Sequence, residues 1–222
     1  KSFFLPTNFN HIEVEITSFC NRKCEYCPNV SFDKLDSSGS FLIKDEILNT
    51  VINQLRDINY SGTLAPHMYG ETLAHPEIVE ITEKISKAGI KLDIFTNADY
   101  LNKDLLDKLR AAGLYKLSIS KHSKNLSDSA LRALRDLFDN IPSFKELETK
   151  DICDKINRQD IKINGLILKI VDFYKDFHNS KDMLHNRGGE LDLDLNKKNT
   201  GPIGCNYVLH PVIDVEGNIV LC

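Results

Sequence analysis

The sequence has no tryptophan and only two methionines in 222 residues. No apolar run approaches the ~20 residues that a membrane-spanning helix needs, which excludes a helical membrane protein. No block of lysine and arginine is present and the formal net charge is −4. That balance argues against nucleic acid as the main partner. No signal peptide is visible, so a cytoplasmic setting is expected. The chain opens on Lys1, and the true start of the protein is expected to lie upstream. Low-complexity tracts and long internal repeats are missing as well. What is there suffices for a core: 41% of residues are hydrophobic. A chain of this size folds without disulfide staples.

The cysteines are unevenly spread. Three of the six crowd together as Cys20, Cys24 and Cys27, and another is the last residue, Cys222. A secreted scaffold would spread its cysteines to close loops. A cluster in a chain of this kind reads as a metal site.

Hydrophobic periodicity alternates between two and 3.6 residues. His11 to Ile16 alternates polar and apolar, as a half-buried strand does. Asp45 to Asn59 carries Ile47, Leu48, Val51, Ile52, Leu55 and Ile58 on one helical stripe. Thr63 to Met68 is a short strand. Pro76 stands at the expected first position of the next helix, whose stripe is Ile78, Ile81, Ile85 and Ala88. Ile90 to Thr96 and Leu114 to Ser120 are strands. Between them Asn102 caps a helix, and Ser127 caps the one that follows. Ile161 to Ile170 is the longest strand candidate, and Glu190 to Leu195 is the sixth. Ile141 to Asp160 is polar and irregular, either an extra helix or a loop.

Alternating β and α units predict a parallel sheet with helices outside it, here a partial (β/α)6 TIM-like barrel. Chemistry in such sheets sits at the carboxyl ends of the strands. Residues 1–195 are expected to form this core. Residues 196–222 depart from the pattern, end in a hairpin at Glu216-Gly217-Asn218, and are expected to begin a second, small domain.

Cys20-Asn-Arg-Lys-Cys24-Glu-Tyr-Cys27 is a C-x3-C-x2-C pattern placed just past the first strand. Structural zinc takes four ligands in paired short spacings, and no nearby Cys or His completes such a set. Iron–sulfur clusters usually take four thiolates. Three thiolates therefore leave one iron open to an outside ligand.

This motif, with aromatic Tyr26 before its last cysteine, resembles the signature of radical S-adenosylmethionine (radical SAM) enzymes. The resemblance implies a [4Fe–4S] cluster on Cys20, Cys24 and Cys27, with S-adenosylmethionine on the open iron. It implies reductive cleavage of SAM to a 5′-deoxyadenosyl radical that takes hydrogen from substrate, and a reductant such as flavodoxin or ferredoxin. It places further cofactor contacts at Tyr26, Gly70, Glu71, Asn97, Ser118, Ser120 and Lys169. Tyr69 stands where the family has the first glycine of a Gly-Gly-Glu segment. Several of these positions have plainer readings: Glu71 as an acid at a helix start, the serines as solvated hydroxyls. Lys121 and His122 either face substrate or sit on a loop. Gly165 either permits close approach to the cofactor or marks a bulge. Arg187, beside Gly188 and Gly189, either forks onto a carboxylate or is solvated. Arg22 and Lys23 either tune the cluster, help dock a reductant, or form a solvated face.

Cys205, Gly217 and Cys222 resemble the opening of SPASM and Twitch auxiliary domains, which implies a second iron–sulfur site with Cys205 and Cys222 as two ligands. Cys222 is alternatively a hydrogen-atom donor. The remaining ligands would lie past it. Cys153 matches no motif. His67, Lys121, His122, Asn164 and Arg187 near strand ends suggest a small polar substrate. By resemblance to auxiliary-domain dehydrogenases, this is a sugar or aminocyclitol that is oxidised or epimerised. A maturase that epimerises or crosslinks a ribosomal peptide is the alternative, disfavoured because the first strand starts near His11 and leaves no room for a peptide-recognition domain ahead of it. A non-catalytic iron–sulfur electron carrier or sensor is a third class.

Overall fold

The structure, a computed structural model, describes residues 9–27, 29, 41–139, 141–179 and 210–220. Eight strands form one open sheet in the order β5-β6-β4-β3-β2-β1-β7-β8. β1 (His11–Val14), β2 (Thr63–Ala65), β3 (Lys91–Thr96) and β4 (Lys116–Ser120) pair in parallel, as alternating β and α units dictate. β6 (Leu166–Val171) extends this parallel set beside β4, and β7 (Val212–Ile213) extends it beside β1. The helices between them are α1 (Asp45–Asp57), α2 (Ile78–Lys87), α3 (Lys103–Ala111) and α4 (Asp128–Phe138).

The pleat sorts the strands into two faces. Ile12, Val14, Leu64, Leu92, Ile94, Leu117, Ile119, Leu168 and Ile170 point to the helices and are buried with Leu48, Ile52, Ile85, Leu109 and Leu134 in one core. With a period of two, His11, Glu13, Thr63, Asp93, Phe95, Lys116, Ser118 and Lys169 turn to the opposite face. A polar inner face under an aliphatic outer one is the partition of a partial barrel, not of a sheet buried on both sides.

Caps fall where the residues predict. Asn102 Oδ1 accepts from the Leu105 amide at 3.0 Å, and Ser127 Oγ accepts from the Ala130 amide at 3.2 Å. The helix expected at Pro76 starts two residues later, at Ile78, because His75 Nδ1 takes the Glu77 amide at 3.1 Å and holds a turn. The irregular stretch after α4 is ordered. A short 3-10 turn (Pro142–Phe144) and α5 (Thr149–Lys155) bury Phe144, Ile152, Cys153 and Ile156.

The expected long strand over 161–170 is a hairpin: β5 (Asp160–Ile163) runs antiparallel to β6. Asn164 and Gly165 both have positive φ, 48° and 88°, which is the two-residue turn that an Asn-Gly pair favours. The turn lies at the amino end of the parallel strands, so Gly165 does not approach a cofactor at their carboxyl ends. α6 (Phe173–Asn179) follows β6. The hairpin expected at Glu216-Gly217-Asn218 is present, with β7 antiparallel to β8 (Ile219–Val220). It joins the sheet through β1. The strand expected at 190–195, the Arg187 segment, Cys205 and Cys222 lie outside the described residues.

Candidate functional site

The cysteine loop leaves the carboxyl end of β1. Its entry is fixed by backbone bonds from Ser18 to Phe41 and from Ile43 to Ile16. Cys20, Cys24 and Cys27 are free thiols of intermediate exposure. The Cys27 amide donates to the Cys24 carbonyl at 3.0 Å, which closes the second half of the loop, and the Arg22 amide donates to Cys20 Sγ at 3.5 Å. Burial pushes the Cys20 and Cys24 thiols up. Among the described residues no three His, Cys, Asp or Glu side chains converge to hold one ion. Three soft donors on one short loop fit the thiolate set that an iron–sulfur cluster takes.

The rim of the sheet grips this loop at several points. Gly70 lies against Thr17, and the Glu71 amide donates to the Phe19 carbonyl at 2.7 Å. Asn29 Nδ2 donates to the Tyr69 carbonyl at 2.8 Å. The Tyr26 hydroxyl bonds His122 Nδ1 at 2.6 Å, and His122 stacks on Phe173 at 5.3 Å between ring centres. Burial, with Arg22 nearby, pushes His122 down to about 4, so the ring is neutral at pH 7 and Nδ1 can accept a hydrogen bond from the Tyr26 hydroxyl. Arg22 is not a solvated cation: it forks onto Asp99 with distances of 2.7 and 2.5 Å.

Glu71 is buried in the loop after β2. Its carboxylate accepts from the Leu73 amide at 3.1 Å, the Asn97 amide at 2.7 Å and the Thr96 hydroxyl. Those donors lower its pKa against a larger push upward from burial, and the net direction is up. The plain reading of Glu71, an acid at a helix start, therefore holds for one of its bonds, and it also ties β2 to β3. Asn97 Nδ2 donates to Asn21 Oδ1 at 2.9 Å, so Asn97 reaches the cysteine loop directly.

Ser118 and Lys169 sit side by side on the inner face. Ser118 Oγ donates to Asp93 Oδ1 at 2.7 Å. Ser120 is half-buried at the end of β4. Lys121, expected either to face substrate or to sit on a loop, pairs with buried Asp172 at 2.5 Å. Cys153 is a buried thiol that burial pushes up to about 12.

The fold adds inner-face residues that the sequence did not single out. His11 Nδ1 bonds Thr63 Oγ1 at 2.8 Å, and His11 Nε2 lies 3.6 Å from Glu13 Oε1. His210 packs edge-on to His11, and His67, a candidate from its place near a strand end, stacks on Phe95 at 5.0 Å. Burial raises the Glu13 carboxyl most, but the His11 bond and the nearby imidazoles together bring it below its ordinary value. The alternation His11, Glu13, Glu15 along β1 was the available signal. Asp99 also went unnoticed, two residues past Asn97 at a strand end.

Known proteins resemble this chain in sequence and in fold. A curated relative from Niallia circulans, an S-adenosyl-L-methionine-dependent 2-deoxy-scyllo-inosamine dehydrogenase, is 34% identical over 119 residues, 52% of this chain and 46% of that protein. A PqqA peptide cyclase from Bradyrhizobium diazoefficiens is 35% identical over 108 residues, 48% of this chain and 27% of that protein. The chain thus spans less than half the length of these relatives. Among solved structures, BtrN in complex with AdoMet and 2-DOIA matches with a TM-score of 0.66 at 24% identity, over 96% of this chain and 73% of that one. Streptococcus suis SuiB bound to S-adenosylmethionine matches at 0.54 and 14%, over 97% and 58%. These two show a shared fold. The Radical SAM superfamily profile matches residues 14–146, more than half of the chain, from the end of β1 through the cysteine loop and the β4 rim. The chain belongs to the radical SAM superfamily.

Proposed function

We propose that this chain is the catalytic core of an enzyme that cleaves S-adenosylmethionine reductively and abstracts hydrogen from a small polar substrate, oxidising or epimerising a sugar or aminocyclitol. The observation that carries this is the cysteine loop gripped by the rim of a radical SAM fold. Cys20, Cys24 and Cys27 would hold the [4Fe–4S] cluster, with SAM against Tyr26, Gly70, Glu71 and Asn97. What the bound cluster and SAM supply is one-electron chemistry that ends in hydrogen abstraction. The chain's own residues do the rest. Glu71 fixes the β2 and β3 ends, His122 orients the Tyr26 ring, and the aliphatic outer core keeps the strand ends in register.

The inner face suits a polar substrate. Glu13 and Asp93 are acceptors there, Lys169 is a donor, and Phe95 with His67 offers a flat wall. The resemblance to the aminocyclitol dehydrogenase favours the same class. Peptide modification remains the second reading, favoured by the similarity to the PqqA peptide cyclase. Cys205 and Cys222 are proposed as ligands of an auxiliary cluster, or Cys222 as a hydrogen donor, and a flavodoxin or ferredoxin as the electron source.

The test is anaerobic reconstitution with iron and sulfide, then dithionite and SAM. The expected product is 5′-deoxyadenosine, lost together with the cluster signal in Cys24→Ala. A loaded cluster that yields none would make the protein an electron carrier or sensor. Zinc in place of iron would end the proposal.

A further inference from the structure

Arg22 lies in the middle of the first cysteine spacing, two residues from Cys20 and two from Cys24. Its neighbour Lys23 is exposed, the ordinary fate of a cation in such a loop. Arg22 instead puts two nitrogens on one carboxylate. Nε donates to Asp99 Oδ2 at 2.7 Å and Nη2 to Oδ1 at 2.5 Å. Asn21 Nδ2 donates to the same Oδ2 at 2.7 Å. The two charged side chains are only 20% and 28% exposed. A forked guanidinium fixes direction as well as distance, which a lysine cannot do.

Asp99 is itself held from behind. Ala98 before it has φ of 64°, a left-handed conformation that a residue with a β-carbon rarely adopts. The surroundings enforce it. The Ala98 amide donates to Thr96 Oγ1 and the Asp99 amide to Asn97 Oδ1, both at 2.9 Å. Thr96 and Asn97 are in turn bound to the buried Glu71 carboxylate. A strained residue persists where its neighbours over-determine it, and such strain gathers at functional sites. Here the strain aims a carboxylate at the cysteine loop.

We infer that Asp99 is a positioning residue for the cluster. It pins Asn21 and Arg22, so that Cys20 and Cys24 are presented in one arrangement, and it neutralises the cation beside their sulfurs. The inference rests on the reading of Cys20, Cys24 and Cys27 as cluster ligands.

The experiment compares wild type, Asp99→Asn and Arg22→Lys, with Asp107→Asn on the outer surface of α3 as control. Amide exchange is read on metal-free protein; iron content and midpoint potential are read after reconstitution. In Asp99→Asn, exchange across residues 20–27 is expected to quicken at least tenfold, with the rest of the chain unchanged. Iron per chain is expected to fall by half or more. The unpaired Arg22 favours the reduced cluster, and its reduction equilibrium is expected to move about tenfold, or 59 mV positive for one electron. Arg22→Lys keeps the charge pair but loses the fork. It is expected to quicken exchange alike while leaving the potential in place. Wild-type exchange, iron content and potential in Asp99→Asn overturn the inference alone. A wild-type protein that takes up no iron overturns the ligand reading, and the inference with it.

Discussion

Gly70 is seated on the carbonyl of Thr17: a β-carbon at position 70 would come within 1.8 Å of that oxygen and 2.7 Å of its carbon. Both contacts are backbone, so no side chain can swing aside. The loop after β2 and the entry to the cysteine loop are thus packed chain on chain. Gly70→Ala is expected to lower stability by at least ~1–3 kcal/mol, the usual cost of overpacking. It should also disturb iron loading, because Glu71 and Phe19 must part. Denaturant melts of metal-free protein, followed by iron analysis, check this.

Glu15 and His122 set opposing pH slopes. Burial pushes Glu15 up to about 7 from 4.5, with Asp214 adding to the rise, although the Tyr69 amide donates to it at 3.1 Å. The folded state then holds a proton that the unfolded state has lost, so Glu15 costs stability as pH rises from about 4.5 to 7. His122 is pushed down from 6.5 to about 4, so the unfolded state binds the extra proton, and stability falls as pH drops through that window. At ~1.4 kcal/mol per pH unit each is worth about 3 kcal/mol. The two nearly cancel in wild type. Glu15→Gln removes one slope. The variant is expected to be more stable than wild type at pH 8 and to lose stability steeply on acidification below 6.5. Thermal melts from pH 4.5 to 8 would show it, and parallel curves for the two proteins would contradict it.

Lys121 and Asp172 are 8% and 5% exposed. Asp172 Oδ1 also accepts from the Lys175 amide at 2.9 Å, at the start of α6. Removing one partner of a buried pair strands the other charge. Lys121→Met is expected to cost ~3–5 kcal/mol, while Lys121→Met with Asp172→Leu recovers most of the loss. A double-mutant cycle in urea measures this. Additive effects of the two changes would mean that the pair does not act as one.

Gly165→Ala puts a β-carbon on a residue with φ of 88° but meets no neighbour within 4 Å. The expected loss is ~1 kcal/mol, from conformation alone. SAM cleavage should be unchanged, because the turn lies at the far end of β6 from the cysteine loop. A drop in cleavage without a drop in stability would restore Gly165 to the cofactor.

Much of the fold was legible where the information is local. Ile12 and Val14 alternate with His11 and Glu13, and Asn102 and Ser127 stand where helix amides lack partners. The hairpin at Asn164-Gly165 was equally local, yet the continuous apolar alternation on either side masked it as one strand. The cysteine spacing was legible because three thiols in eight residues have few other uses. The bond between Arg22 and Asp99 was not, since 77 residues separate them and no periodicity relates a loop to a distant strand end. Nor was the neutral state of His122, which comes from tertiary burial and not from its neighbours in sequence.

The placement of β7 has a consequence for the order of assembly. β1, which launches the cysteine loop, is bracketed by β2 on one side and β7 on the other, with Glu13 facing Val212 and the Glu15 amide donating to the Ile213 carbonyl at 2.7 Å. One flank of that strand therefore stays open on the ribosome until the chain has emerged past residue 213. Long-range parallel pairing is slow to form, because the loop must close before its contacts reward it. The thiols are synthesised early, but their platform is finished late. Iron delivered during synthesis would meet a loop with one flank of its frame missing, so loading is expected to follow completion of the chain.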